Sequence, residues 1–97
     1  MTIKGLENYS EYDIRIMIAD YIDNLLFGVT EDEFKYVDTQ LIGSRINGTS
    51  KTYSDLDAVL YYSGKMKEDS LFNIFNDTNC RLYIEDIMVD INPKRVD

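Results

Sequence analysis

Residues 53–62 carry the sequence YSDLDAVLYY, and this stretch contributes most to the expected fold. Its leucine, valine and tyrosine content is typical of a β-strand. Because successive side chains of a strand point to opposite faces, Asp55 and Asp57 are expected on one face and Leu56 on the other. The stretch therefore predicts a strand that is apolar on one side and carries two carboxylates on the other.

The residues before this stretch predict a helix followed by a strand. Residues 10–27 have apolar side chains at helical spacing, which should form one buried face: Ile14, Met17, Ile18, Tyr21 and Leu25. Ser10 with Asp13 resembles a capping box, and Gly28 favours the end of the helix. Residues 36–42 alternate as a strand does, with one face formed by Val37, Thr39 and Leu41.

The residues after residue 42 predict a loop, a second helix and a strand pair. Residues 43–51 are rich in Gly, Ser, Asn and Thr, which indicates a loop or a brief helical turn. Residues 68–75 predict a short helix whose inward side chains are Leu71, Phe72 and Phe75. Two apolar runs around residues 85 and 86 predict a hairpin or a bent strand, which Pro93 should end.

The order of these elements predicts the fold class. Helix, strand, loop, strand, helix and strand pair indicate an α+β fold, with a small mixed β-sheet packed against helices. The chain has 97 residues and no linker or repeat, so we expect one domain over residues 1–97.

Composition narrows the classes of partner and location. The chain has ten Lys and Arg against eighteen Asp and Glu, a net charge of −8. Such a surface repels phosphate backbones, so free nucleic acid is not expected as a partner, whereas a basic protein or a metal-bound nucleotide is compatible. Residues 1–8 lack a signal-peptide pattern and no stretch has the length of a membrane span, so we expect a cytoplasmic protein without a membrane segment.

The absence of histidine excludes several kinds of site. With no His and a single Cys, the usual zinc sites and the Ser-His-Asp and Cys-His catalytic arrangements are ruled out. Cys80 has no partner for an internal disulfide, and we expect it to be a small buried hydrophobe.

The candidate metal ligands are three aspartates. Asp55 and Asp57 are expected to repel each other on one face of their strand, and a hard divalent cation such as Mg²⁺ removes that conflict. Asp90 lies between apolar residues on another predicted strand, where a charge is costly unless it is paired or bound to a metal. Asp86 follows the same alternation and is the alternative third carboxylate, but a turn is expected at its position. Three carboxylates together would suit a two-metal arrangement.

The candidate phosphate-binding turn follows the first strand. Backbone N–H groups at Gly43 and Ser44 and the Ser44 hydroxyl can face phosphate oxygens. Ser44 also suits a helix N-cap. Arg45 suits a phosphate clamp, or it balances the nearby acids.

The set Gly43-Ser44-Arg45-Ile46-Asn47-Gly48-Thr49 followed by Ser54-Asp55-Leu56-Asp57 resembles the signature of the polymerase-β-type nucleotidyltransferase superfamily, in its minimal bacterial branch. The resemblance covers about residues 36–92. It implies that Gly43 and Ser44 bind a nucleoside triphosphate and that Asp55, Asp57 and Asp90 hold two magnesium ions. Asp90 would also help to deprotonate the acceptor hydroxyl.

The resemblance implies an enzyme, and the residues leave one alternative open. The expected activity is magnesium-dependent transfer of a nucleoside monophosphate from a nucleoside triphosphate such as ATP to a hydroxyl, on a partner protein. The minimal core lacks the helical domain that usually completes the site, so a protein partner or a homo-oligomer is expected. The alternative is an inactive or weakly active binding module of the same fold, antitoxin-like or acting in a mobile element or phage.

Overall fold

The computed structural model describes residue 3 and residues 5–42 and 55–97, and the account that follows is of these residues. Within them the elements are α1 (Glu11–Leu25), β1 (Lys35–Ile42), β2 (Leu56–Ser63), α2 (Glu68–Phe75), β3 (Tyr83–Ile84) and β4 (Ile87–Arg95). The two helices and the four-stranded mixed sheet confirm the predicted α+β class. In the described part of the chain, no helix has the length and apolar character needed to cross a membrane.

The sheet has the strand order β1-β2-β4-β3. Strand β1 is antiparallel to β2, β2 is parallel to β4, and β3 is antiparallel to β4. Two adjacent parallel strands cannot be joined by a tight turn, because the chain must return to the same end of the sheet. Helix α2 lies within this return segment and packs on β4. The parallel pairing places β2 and β4 side by side, which matters for the candidate site.

Helix α1 begins at the predicted capping box. The Ser10 side chain accepts a hydrogen bond from the Asp13 backbone N–H at 3.0 Å, and the Asp13 carboxylate accepts one from the Ser10 N–H at 3.1 Å. These reciprocal bonds satisfy backbone donors that the first turn leaves free. The helix ends at Leu25, and Gly28 follows with a φ of +87°, in the left-handed region that favours glycine.

The strand pair is a hairpin with a two-residue turn. Glu85 and Asp86 have φ values of +50° and +67° and connect β3 to β4. Two consecutive positive φ values are typical of the turn whose twist matches that of a β-hairpin. The hairpin and the position of Asp86 in a turn are therefore confirmed.

Pro93 does not end the last strand, as the sequence had suggested. Strand β4 continues to Arg95, because the missing N–H of Pro93 faces away from β2, on the outer edge of β4 beyond the short β3. On this same edge the Ile91 N–H donates to the Asn76 side chain at 3.0 Å, and the Arg95 N–H donates to Glu68 at 2.9 Å. Side chains from α2 and its C-terminal end thus replace a neighbouring strand.

Three residues expected to be buried are exposed. Val37 is 49% exposed because a β-bulge between Tyr36 and Asp38 shifts the alternation of β1. Phe72 is 45% exposed, since α2 turns only Leu71 and Phe75 fully into the core. Cys80 is also exposed. The expectations for Val37 and Phe72 rested on local periodicity, which neither a bulge nor the packing angle of a short helix follows. The expectation for Cys80 rested on the usual burial of free cysteines.

The core lies between the helices and one face of the sheet. Its fully buried side chains come from both helices, from the two central strands and from the segment before α1: Ile14, Ile18, Ile22, Leu71, Phe75, Leu56, Ala58, Leu60, Tyr62, Val89, Ile91, Ile3 and Leu6. The Phe34 ring stacks on Tyr62 with 5.3 Å between centroids, and the Tyr62 hydroxyl donates to the Met66 carbonyl at 2.7 Å. Strand β2 alternates strictly between buried and half-buried residues, so its other face lies away from the core.

Candidate functional site

Two of the predicted aspartates lie side by side on the sheet. Asp57 of β2 and Asp90 of β4 are register partners on adjacent parallel strands. Both alternate with buried residues, Leu56 and Ala58 for the first and Val89 and Ile91 for the second. Their side chains therefore leave the face of the sheet that is turned away from the helices, and both are half-buried.

Asp55 acts on Asp57 through its charge. It immediately precedes β2 and is half-buried. Burial raises the pKa of Asp57 above its ordinary value of 3.8, and the negative charge of Asp55 raises it further. Burial disfavours any isolated charge here, whereas the repulsion between Asp55 and Asp57 is relieved by a positive charge, so a cation that contacts both carboxylates would be favoured.

Arg81 is a site residue that the sequence did not indicate. Its guanidinium forms an ion pair with the Asp90 carboxylate, and the side chains are 15% and 31% exposed. The Nε atom of Arg81 is buried and has no hydrogen-bond partner. Arg81 precedes β3 by two residues and is distant in sequence from Asp57, so only the strand order brings it to this group of carboxylates.

The structure places Asp90, and not Asp86, beside Asp57. Asp86 is exposed in the turn of the hairpin, whereas Asp90 lies within β4. Of the two alternatives for a third carboxylate, the register therefore favours Asp90.

The predicted phosphate-binding residues Gly43, Ser44 and Arg45 lie outside the described residues. Their roles stay predictions. The strand that leads to them does end at the site, because Ile42, the last residue of β1, is the register partner of Asp57.

The side chains that could hold a divalent cation are the carboxylates of this face. Hard oxygen donors on Asp57 and Asp90 suit Mg²⁺, and the raised pKa of Asp57 fits a site that gains from a positive charge. Across residues 3, 5–42 and 55–97, no group of three or more His, Cys, Asp or Glu side chains is assembled for metal binding. Arg81 now supplies the positive charge at Asp90. Magnesium binding stays a prediction that these donors are chemically able to meet.

Comparisons of this chain with protein-family models, curated proteins and solved structures found no match.

Proposed function

We propose that this domain is a magnesium-dependent nucleotidyltransferase that moves a nucleoside monophosphate from a nucleoside triphosphate to a hydroxyl on a partner protein. The observation that carries the proposal is the register of Asp57 with Asp90 on parallel strands, with Asp55 two residues before Asp57. Two register-paired acids on one sheet face, with a third acid two residues before one of them, are what the resemblance in residues 36–92 requires.

The carboxylates have distinct roles in this proposal. Asp55 and Asp57 bind the cation and Asp90 completes the ligand set. When bound, magnesium would offset the charge of the carboxylates and of the triphosphate. The acceptor oxygen attacks the α-phosphate, the bond between the α- and β-phosphates breaks, and pyrophosphate leaves. Asp90 accepts the proton of the acceptor hydroxyl, and Arg81 holds the Asp90 side chain in position through their ion pair.

The nucleotide would enter at the end of β1. Gly43 and Ser44 follow Ile42 in the chain, and Ile42 lies beside Asp57. In the proposal the backbone N–H groups and the hydroxyl of this Gly-Ser pair bind the triphosphate, and Arg45 adds a positive charge. The overall charge of −8 means that the nucleotide would bind as its magnesium complex.

Transfer of label from α-phosphate-labelled ATP, CTP, GTP and UTP tests the proposal. The protein would be incubated with magnesium and a cell lysate, and labelled proteins would be separated and identified. We expect one or more labelled acceptors, and loss of labelling in Asp55→Asn, Asp57→Asn and Asp90→Asn. Asp86→Asn is the matched control, because it removes the same charge from an exposed turn of the hairpin. Labelling that survives Asp57→Asn would contradict the proposed chemistry.

One observation favours the second candidate, a binding module without catalysis. Asp90 is already neutralised by Arg81, a cation of the chain itself. A site whose carboxylate is satisfied internally has less need of a metal. If no nucleotide labels any acceptor, and thermal melting of wild type and Asp57→Asn responds equally to nucleotide with magnesium, the binding module is the better description.

A further inference from the structure

A groove on the helix side of the sheet has a composition that suits a cation. It lies between α1 and β3 and has a volume of about 490 Å³, and its lining includes Tyr9, Met17, Tyr21, Leu82 and Tyr83 together with the acids Asp20 and Glu85. This volume is in the range of about 300–1,000 Å³ that is typical of ligand sites. We call it the aromatic groove. It is formed with α1, whereas Asp57 and Asp90 lie on the opposite face of the sheet.

Three tyrosines line the groove, and the hydroxyl groups of Tyr9 and Tyr21 already have hydrogen-bond partners. The Tyr9 hydroxyl donates to Glu85 Oε1 at 2.6 Å. The Tyr21 hydroxyl lies 2.8 Å from the Phe75 carbonyl oxygen and 2.9 Å from that of Cys80. These bonds hold the rings of Tyr9 and Tyr21 in place. A ligand in the groove would therefore contact the faces of these rings and not their hydroxyl groups. A rigid apolar wall loses little conformational entropy on binding.

The two charged side chains that line the groove, Asp20 and Glu85, are both acidic. Asp20 is exposed at the surface of α1. The Tyr9 hydroxyl bonds only Oε1 of Glu85, so Oε2 can accept hydrogen bonds from a ligand. None of the described residues that line the groove is Lys or Arg. The basic residue nearest to the lining in sequence is Arg81, which precedes Leu82. Its positive charge acts on Tyr21, but it is already paired with Asp90. Between Arg15 and Lys35 the chain contains no basic residue at all, so the approach along α1 is acidic.

We propose that the aromatic groove binds an arginine-bearing apolar segment of a partner protein. Carboxylates bind a guanidinium through paired hydrogen bonds, and tyrosine rings attract it through their faces. Apolar neighbours of the arginine would cover Met17 and Leu82. A second copy of this chain is not the expected occupant, because two surfaces of net charge −8 repel each other and reduce association.

The probe is the peptide acetyl-Ala-Leu-Arg-Leu-Ala-amide, titrated into the isotope-labelled full chain and followed by backbone amide chemical shifts. A second peptide carries citrulline, a neutral group of almost the same shape, in place of arginine. We expect the arginine peptide to shift amides of α1 and of residues 82–85 and to bind about tenfold more tightly than the citrulline peptide. Added sodium chloride should lower the affinity for the arginine peptide more than the affinity for the citrulline peptide.

Variants test the contribution of the two acids. The double substitution Asp20→Asn with Glu85→Gln should lower the affinity for the arginine peptide about tenfold, and Asp20→Lys should abolish binding of that peptide. Glu31→Gln with Asp69→Asn is the matched control, because it removes the same charge from two exposed sites outside the groove. It should leave the affinity unchanged.

Four results would overturn the inference. Three of them are equal binding of the arginine and citrulline peptides, equal losses of affinity in the groove variant and its charge-matched control, and amide shifts that map away from α1 and β3. A fourth is a stable dimer of the free protein, by sedimentation, that Asp20→Lys dissociates, since the groove would then hold a second copy. None of these readouts involves nucleotide or magnesium, so the inference stands or fails separately from the proposed enzyme.

Discussion

The side-chain amide of Asn76 pairs with both backbone polar groups of Ile91. Its Oδ1 accepts the Ile91 N–H at 3.0 Å, and its Nδ2 donates to the Ile91 carbonyl at 2.8 Å. One side chain at the end of α2 therefore satisfies the edge of β4 as a neighbouring strand would. Because β4 carries Asp90, this contact also supports the strand on which the candidate site is built.

Replacing Asn76 should measurably destabilise the fold. Asn76→Ala leaves the backbone groups of Ile91 without these partners, and we expect a loss of about 1–3 kcal/mol in the free energy of unfolding. Urea denaturation followed by circular dichroism measures it. Asn73→Ala, on the exposed side of α2, is the control and should be neutral or slightly stabilising. Equal effects of the two substitutions would show that the edge contact adds nothing.

Gly64 and Gly28 should respond differently to alanine. Both have positive φ values, +125° and +87°, but a Cβ at Gly64 would meet the backbone of Glu33 and lie 2.9 Å from the Phe34 nitrogen, whereas a Cβ at Gly28 meets nothing within 4 Å. Gly28→Ala should cost about 1–2 kcal/mol of backbone strain. Gly64→Ala should cost about 1–3 kcal/mol more, because the backbone must move. Similar melting temperatures for the two variants would refute this difference.

Asp57→Asn should stabilise the protein at neutral pH. Burial and the charge of Asp55 raise the pKa of Asp57, so the folded chain binds this proton more tightly than the unfolded chain does. The ionised carboxylate therefore costs stability above its folded-state pKa. The cost fades as the pH falls through that pKa towards the ordinary value of 3.8.

The measurement is the melting temperature from pH 7 to pH 4. Asp57→Asn should melt above wild type at pH 7, and the difference should shrink at lower pH. Asp86→Asn, in the exposed turn, should follow wild type throughout. A melting temperature of Asp57→Asn below that of wild type at pH 7 would contradict the prediction, because it would mean that the ionised Asp57 carboxylate stabilises the fold.

Arg81 and a divalent cation should compete for Asp90. In Arg81→Gln the carboxylate loses its internal partner, so we expect Mn²⁺, used as a paramagnetic stand-in for Mg²⁺, to bind several-fold more tightly. Asp90→Asn should bind it more weakly than wild type. Arg15→Gln, which breaks the ion pair with Asp38, is the control. Unchanged Mn²⁺ affinity in Arg81→Gln would remove Asp90 from the ligand set.

Local signals in the sequence were sufficient for much of the secondary structure. The capping box of Ser10 and Asp13 and the bounds of α2 (Glu68–Phe75) depend on neighbours within a turn, and both are confirmed. The bulge at Val37 and the continuation of β4 past Pro93 depend on pairing with a strand far away in sequence. Periodicity alone could not show them.

The candidate site divides in the same way. The alternation of residues 55–57 determined by itself that Asp57 and Leu56 leave opposite faces of a strand, because a strand has a period of two wherever it lies. Only the tertiary structure decided that β2 and β4 are parallel neighbours, which makes Asp57 the partner of Asp90 and brings Arg81 to the same carboxylate. Strand order and register arise from the burial of a shared core, and the side chains that form it come from every part of the fold.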